Sequence, residues 1–214
     1  HSYYKNHFEK LGFQKEKEYN ESEFPFKNVK PEFFMKASSL IKIRYQLKAI
    51  RFKKTKDIMP YVDKMFYLFN ESYASLPSFV PISEVEIAYF KKKYISFINP
   101  EYIKYVVDKE QNLVAFAITL PSFSKALQKA KGKLFPFGFI HLLNAKKNNK
   151  DIIFYLIGVH PSYQNKGVTA IIFEEFYNTY KDKGMKNCYR TPELSTNKAI
   201  AALWKHFDPK ICKK

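Results

Sequence analysis

Leu156-Ile157-Gly158-Val159-His160-Pro161-Ser162-Tyr163-Gln164-Asn165-Lys166-Gly167-Val168-Thr169 is the stretch on which the fold turns. The nearly unbroken apolar run from Ile152 to Val159 predicts a central strand. Pro161 closes it with a turn, and a helical pattern runs from about Gly167 to Lys183, stopping at Gly184. The first N–H groups of a helix lack partners inside it, and the helix dipole makes that end positive, so this turn suits a pyrophosphate. Gly167 allows a phosphate close to the backbone, and Thr169 is small and offers a hydroxyl.

Outward toward the C-terminus, Asn187 to Arg190 reads as a short strand and Thr196 to His206 as a last helix. Toward the N-terminus, Ser124 to Lys131 is a polar helix leading to Gly132. The apolar stretch Phe135 to Phe139, with Ile140, Leu142 and Leu143, reads as core packing ahead of a pocket lining. Two strands, Tyr102 to Val107 and Leu113 to Leu120, flank the polar turn from Asp108 to Asn112 and form a hairpin. Ser83 with Glu86 is a capping box, and Ile58, Val62, Met65, Phe66 and Phe69 mark an amphipathic helix over Asp57 to Tyr73. Tyr45 to Phe52 alternates as a half-buried strand. A helix after Pro31 turns Phe34, Ala37, Leu40 and Ile41 inward, and Gln14 to Lys30 is charged and loop-like. Tyr4, His7, Phe8 and Leu11 fall at helical spacing before Gly12. Helices alternating with strands predict an α/β layered sheet, without a solenoid repeat.

Composition narrows the function classes. A chain with 46% hydrophobic and 18% aromatic residues has the material for a filled core, which excludes a disordered chain. Lys or Asn interrupts every apolar run before it reaches membrane-spanning length, so a soluble, cytoplasmic protein without a membrane partner is expected. The net charge of +17 comes from scattered lysines beside abundant Asn, Ile, Tyr and Phe, a compositional bias rather than a nucleic-acid motif. Cys188 and Cys212 are too few for a disulfide framework or a zinc site, and the five His show no metal-ligand spacing, so no metal is expected.

The quoted stretch resembles motif A of the Gcn5-related N-acetyltransferases (GNAT), in which a strand is followed by Gln or Arg, two residues, Gly, one residue and a small residue. Gln164, Gly167 and Thr169 take those places, and Val159, Pro161 and Tyr163 match the lead-in. Thr169 departs from the family's Gly or Ala. The stretch from Glu193 to Phe207 resembles motif B, with Asn197, Ala199, Trp204 and Phe207 at the matching positions. Tyr3 to Phe13 is similar to the Tyr-x-x-x-Gly-Phe close of a GNAT unit, which suggests a preceding unit in a tandem bacterial protein.

The resemblance implies a mixed central sheet with helices on both faces, splayed between the family's strands four and five. It implies a domain over 45–214 and an N-terminal helical segment over 1–44. It also implies that acetyl-CoA or another acyl-CoA is held by Ile157, Val159, Gln164, Asn165, Lys166, Gly167, Val168 and Thr169, with Asn197 on the pantetheine arm. Chemistry alone leaves Asn197 equally suited to capping a helix. The implied activity is N-acyl transfer to a small-molecule or peptide amine. Where the family often has an acidic Tyr, this chain has Trp204, which cannot give up a proton. A base is needed near the amine, and Glu193 is the first candidate, His160 the second and Tyr163 the third. Two alternatives stay open: a tandem-GNAT transferase taking aminoacyl-tRNA, which would make tRNA a partner, and a degenerate fold that binds acyl-CoA without turnover.

Overall fold

The computed structural model describes residues 3–77, 79–95 and 98–213, so His1, Ser2 and Lys214 lie outside it. Fifteen regular elements are used here. The helices are α1 (Tyr3–Lys10), α2 (Pro31–Arg44), α3 (Thr55–Tyr73), α4 (Glu84–Phe90), α5 (Ser124–Lys129), α6 (Gly138–Asn148), α7 (Thr169–Lys183) and α8 (Lys198–Trp204). The strands are β1 (Tyr19–Pro25), β2 (Lys48–Ile50), β3 (Ile103–Val107), β4 (Leu113–Pro121), β5 (Asp151–Val159), β6 (Asn187–Leu194) and β7 (Lys210–Lys213). The strands form one sheet in the order β2-β3-β4-β5-β6-β1-β7. Among the described residues only β5 and β6 pair in parallel, with α7 as the crossover between them. The first strand of the chain shifts the count by one, so the family's strands four and five are β5 and β6.

Alternation along the strands sends side chains to two cores. Val106, Ala115, Ala117 and Ile152 meet α2, α7 and α8 on one face, through Phe34, Ile171, Ile172, Phe176 and Trp204. Tyr105, Val107, Phe116 and Ile118 meet α3 and α4 on the other, through Ile58, Val62, Met65 and Ile87. The capping box at Ser83 forms as its sequence predicts, with Ser83 N–H donating to Glu86 at 2.9 Å. Among the described residues, no helix is long and apolar enough to cross a membrane.

Three local readings change. Gln14 to Lys30 holds β1, which lies between β6 and β7 with Ser22 opposite Arg190 and Phe24 opposite Cys188. Its alternation hides in polar residues: Ser22 and Phe24 are buried while Glu23 is exposed. Leu40 faces solvent, because α2 docks on α7 through Phe34 and Ser38 instead. The stretch from Phe135 to Leu143 is not core: a turn and α6 carry its large apolar side chains outward.

Candidate functional site

The parallel pairing of β5 with β6 runs from Asp151 and Asn187 only as far as Phe154 and Arg190. Beyond it β5 continues to Val159 against β4 alone. His160 N–H donates to Val114 C=O on β4 at 2.9 Å, so by alternation the backbone groups of Val159 and Ile157 face away from β4, into the gap. Their carbonyls are engaged there. Tyr73 Oη donates to Ile157 C=O at 2.9 Å, while Ser72 Oγ and Gln164 Nε2 reach Val159 C=O at 3.1 and 3.2 Å. The end of α3 therefore lies over the gap. Burial raises the Tyr73 phenol above its ordinary value.

At the C-terminal end of β5 the chain makes a short 3₁₀ turn, Pro161–Tyr163, and then enters α7. Asn165 and Gly167 both adopt left-handed backbone, with φ of 59° and 75°. At Gly167 a Cβ would also stand 2.8 Å from Ile41 Cδ1, so strain and space both favour glycine. Among the described residues, no backbone acceptor takes the N–H of Asn165, Gly167, Val168 or Thr169. Lys166 Nζ lies 5.3 Å from the centre of the Tyr45 ring and 5.2 Å from that of Tyr163, which holds one cation beside those donors. Val168 is buried and anchors the start of the helix in the core.

The other lip is made of side chains that already have partners. Arg190 forks onto Glu193, with Nε donating to Oε1 at 3.2 Å and Nη2 donating to Oε2. Trp204 Nε1 donates to the same Oε1 at 2.9 Å, and the Arg190 guanidinium lies 4.9 Å from the Trp204 ring centre. Burial pulls Arg190 down to about 10, which leaves it charged at neutral pH beside the carboxylate. A carboxylate that accepts from a guanidinium and an indole is a poor proton acceptor, because those bonds favour its anion. Asn197 Oδ1 accepts from Ile200 N–H at 3.2 Å and caps α8, the structural role open to it from its place in the sequence.

His160 follows the end of β5 and faces α3. Its Nδ1 accepts from Ser162 N–H at 3.2 Å, and its Nε2 faces Glu71 Oε2 at 3.6 Å. Tyr163 packs by the edge of its ring against both Tyr45 and His160. Glu71, Ser72, Tyr73 and Tyr45 are the neighbours that sequence reasoning missed, since helical periodicity gives no sign of which sheet edge a helix end will cover. Among the described residues, no three His, Cys, Asp or Glu side chains gather to hold a metal. A hollow elsewhere, between β1, α2 and α7, is lined by aromatic rings such as Phe24, Phe34 and Phe176.

Solved proteins share the overall fold of this mixed sheet and its helices. The chain has the GNAT fold. A GCN5-related N-acetyltransferase from Sphaerobacter thermophilus superposes over 99% of this chain and 53% of its own, with a TM-score of 0.60 at 10% identity. A GCN5-related glucosamine N-acetyltransferase region of a fungal multi-domain β-N-acetylglucosaminidase covers 98% of this chain and 22% of its own, with a TM-score of 0.59 at 9% identity. In sequence, protein YghO of Escherichia coli K12 is 28% identical over 107 residues, which is 49% of this chain and 27% of that protein. The chain thus spans about half the length of one solved GNAT relative and about a quarter of YghO. No family model matches the sequence.

Proposed function

We propose that this chain binds an acyl-CoA, acetyl-CoA foremost, and transfers its acyl group to an amine by direct attack. The observation that carries the reading is the turn after β5, where the N–H groups of Asn165, Gly167, Val168 and Thr169 face a helix start beside Lys166. Those donors suit the pyrophosphate, and Gln164 lies next to them. With their carbonyls engaged, Ile157 and Val159 keep gap-facing N–H groups that suit the carbonyl oxygens of the pantetheine arm. Asn197 caps α8 through its Oδ1, and its Nδ2 is the group offered to the pantetheine arm on this reading.

In the reaction the amine nitrogen bonds to the thioester carbon, the carbon–sulfur bond breaks, and the thiolate leaves. The amine loses a proton to a base, and the thiolate takes one from water or a phenol. His160 fits the base role better than Glu193. The His160 Nδ1 accepts one bond, from Ser162 N–H at 3.2 Å, whereas the Glu193 carboxylate accepts from both Arg190 and Trp204. Glu193 then acts as a positioning residue that fixes Arg190 and Trp204 beside the gap.

One observation favours a second reading, binding without turnover: the Glu193 carboxylate is committed and Trp204 donates only to it. Release of free thiol from acetyl-CoA across a panel of amines separates the two. Amine-dependent release that drops roughly a hundredfold in His160→Ala supports transfer with His160 as base. Tight binding with no release supports the second reading, and no binding contradicts both.

A further inference from the structure

Between β4 and β5 the chain leaves the sheet as an arm made of α5, a turn and α6. β5 carries this arm at Asp151 and the phosphate-suited turn at Val159, roughly 26 Å apart at 3.3 Å per residue, so the arm is no part of the split. Its backbone is well tied. Gly132 N–H donates to Leu127 C=O at 3.0 Å and Phe139 N–H to Leu134 C=O at 2.9 Å. A Cβ at Gly138 would collide with the Lys133 carbonyl, so only glycine lets the turn close onto α6.

This ordered backbone turns its largest apolar groups to solvent. Phe135 and Phe137 are 79% and 69% exposed, and Leu134, Phe139, Ile140 and Leu143 are exposed beside them. Phe135 and Phe139 have ring centres 6.2 Å apart, which makes the surface continuous across the turn and the first turn of α6. Exposed rings occur elsewhere too, Phe8, Phe13 and Phe33 among them, but Phe135 is more exposed than any of these. A contiguous apolar surface of this kind marks an interaction site.

Charge says what kind of site. From Pro121 to Lys150 the sequence holds seven Lys and neither Asp nor Glu. Lys125 is paired with Asp151 at 2.6 Å, while Lys129, Lys131 and Lys133 lie before the apolar turn and Lys146 and Lys147 close α6. An apolar tip with cations around it matches an anionic bilayer, which accepts the rings and aliphatic groups between its headgroups while the ammonium groups meet lipid phosphates. A single-stranded nucleic acid would supply the phosphates, but it gives Leu134, Ile140 and Leu143 nothing to enter.

We infer that the α5–α6 arm docks the protein on an anionic membrane surface, with Phe135 and Phe137 entering the headgroup region and the neighbouring lysines supplying the charge contact. The site is peripheral and needs no membrane-spanning segment. It is independent of the acyl-transfer reading, so either can fail without the other.

The test is sedimentation of the full chain with vesicles, either phosphatidylglycerol mixed with phosphatidylcholine or phosphatidylcholine alone. Binding to the anionic vesicles is expected to exceed binding to the neutral ones by roughly tenfold or more and to weaken as salt rises. Phe135→Glu with Phe137→Glu should lose that binding roughly tenfold and leave the melting temperature unchanged, because both side chains are exposed. Lys131→Glu with Lys133→Glu should lose it as well, while keeping the apolar surface. Equal binding to both vesicle types, or full binding by the Phe variant, overturns the proposal. So does a dimer in sedimentation velocity that the Phe variant dissociates, or a Phe-dependent complex with a single-stranded oligonucleotide in place of one with vesicles.

Discussion

On the β5 side of the split the chemistry is backbone: gap-facing groups of Ile157 and Val159, then the free N–H groups of Asn165, Gly167, Val168 and Thr169 at the start of α7. On the β6 side it is side chains, and they are spoken for: Arg190 on Glu193, Trp204 on Glu193, Asn197 on the end of α8. One lip presents donors waiting for an anion. The other presents a closed network that fixes a shape. The contrast teaches that, on the proposed reading, grip on a cofactor would be encoded in local backbone and the means to turn it over in tertiary pairing.

The largest way to break the contrast is to spoil the backbone lip. Gly167→Glu puts a carboxylate where an anion is expected and forces a side chain into left-handed backbone at φ 75°. Acetyl-CoA affinity measured by calorimetry should fall roughly a hundredfold or more. An unchanged affinity would place the cofactor elsewhere.

The side-chain lip should answer differently. Glu193→Ala leaves the Arg190 charge unpaired, with that side chain only 10% exposed, and takes the acceptor from Trp204. Stability in urea should drop by about 2–3 kcal/mol. A variant as stable as the parent but inactive would mean that Glu193 is a free base after all.

Two smaller effects sharpen the picture. Asn197→Ala should lower stability by about 1 kcal/mol as a lost cap. A tenfold loss of acetyl-CoA affinity beyond that would show that Asn197 also holds the pantetheine arm. Away from the split, Lys104 on β3 is buried and bonded to Thr179 at 2.8 Å, and burial pulls it down to about 8. A lysine held below its usual value binds fewer protons folded than unfolded, so its contribution grows as pH rises through the window from about 8 to 10.5. Cys188, pushed up to about 12 by burial, works the other way once pH passes 9, the ordinary value of its thiol. Stability should therefore gain about 1 kcal/mol between roughly pH 7.5 and 9, level off as the two slopes cancel, and decline above about pH 10. Lys104→Met should remove the rise.

How much of this was legible follows the same division. The strand before Val159, the turn at Pro161 and the helix after Gly167 could be read because each rests on local signals: an apolar run, a proline, a glycine. β1 was not, since Asn20, Glu21, Ser22 and Glu23 look like a loop until β6 and β7 flank them. Glu193 reads as a candidate base because the sequence shows the carboxylate and hides the guanidinium that folds back on it from Arg190, three residues earlier. Tyr73 and Ser72 were recognisable as helix residues, but their hold on the β5 carbonyls depends on how α3 lies across the sheet. The apolar stripe of α6 was visible too. Whether such a stripe has a partner is a tertiary fact.

The central claim concerns the N–H groups after β5, and backbone hydrogen exchange reads them directly. With acetyl-CoA at saturation, exchange at Asn165, Gly167, Val168 and Thr169 should slow, while the α5–α6 arm exchanges as before. Unaltered exchange across 160–170 at saturating acetyl-CoA would contradict the account.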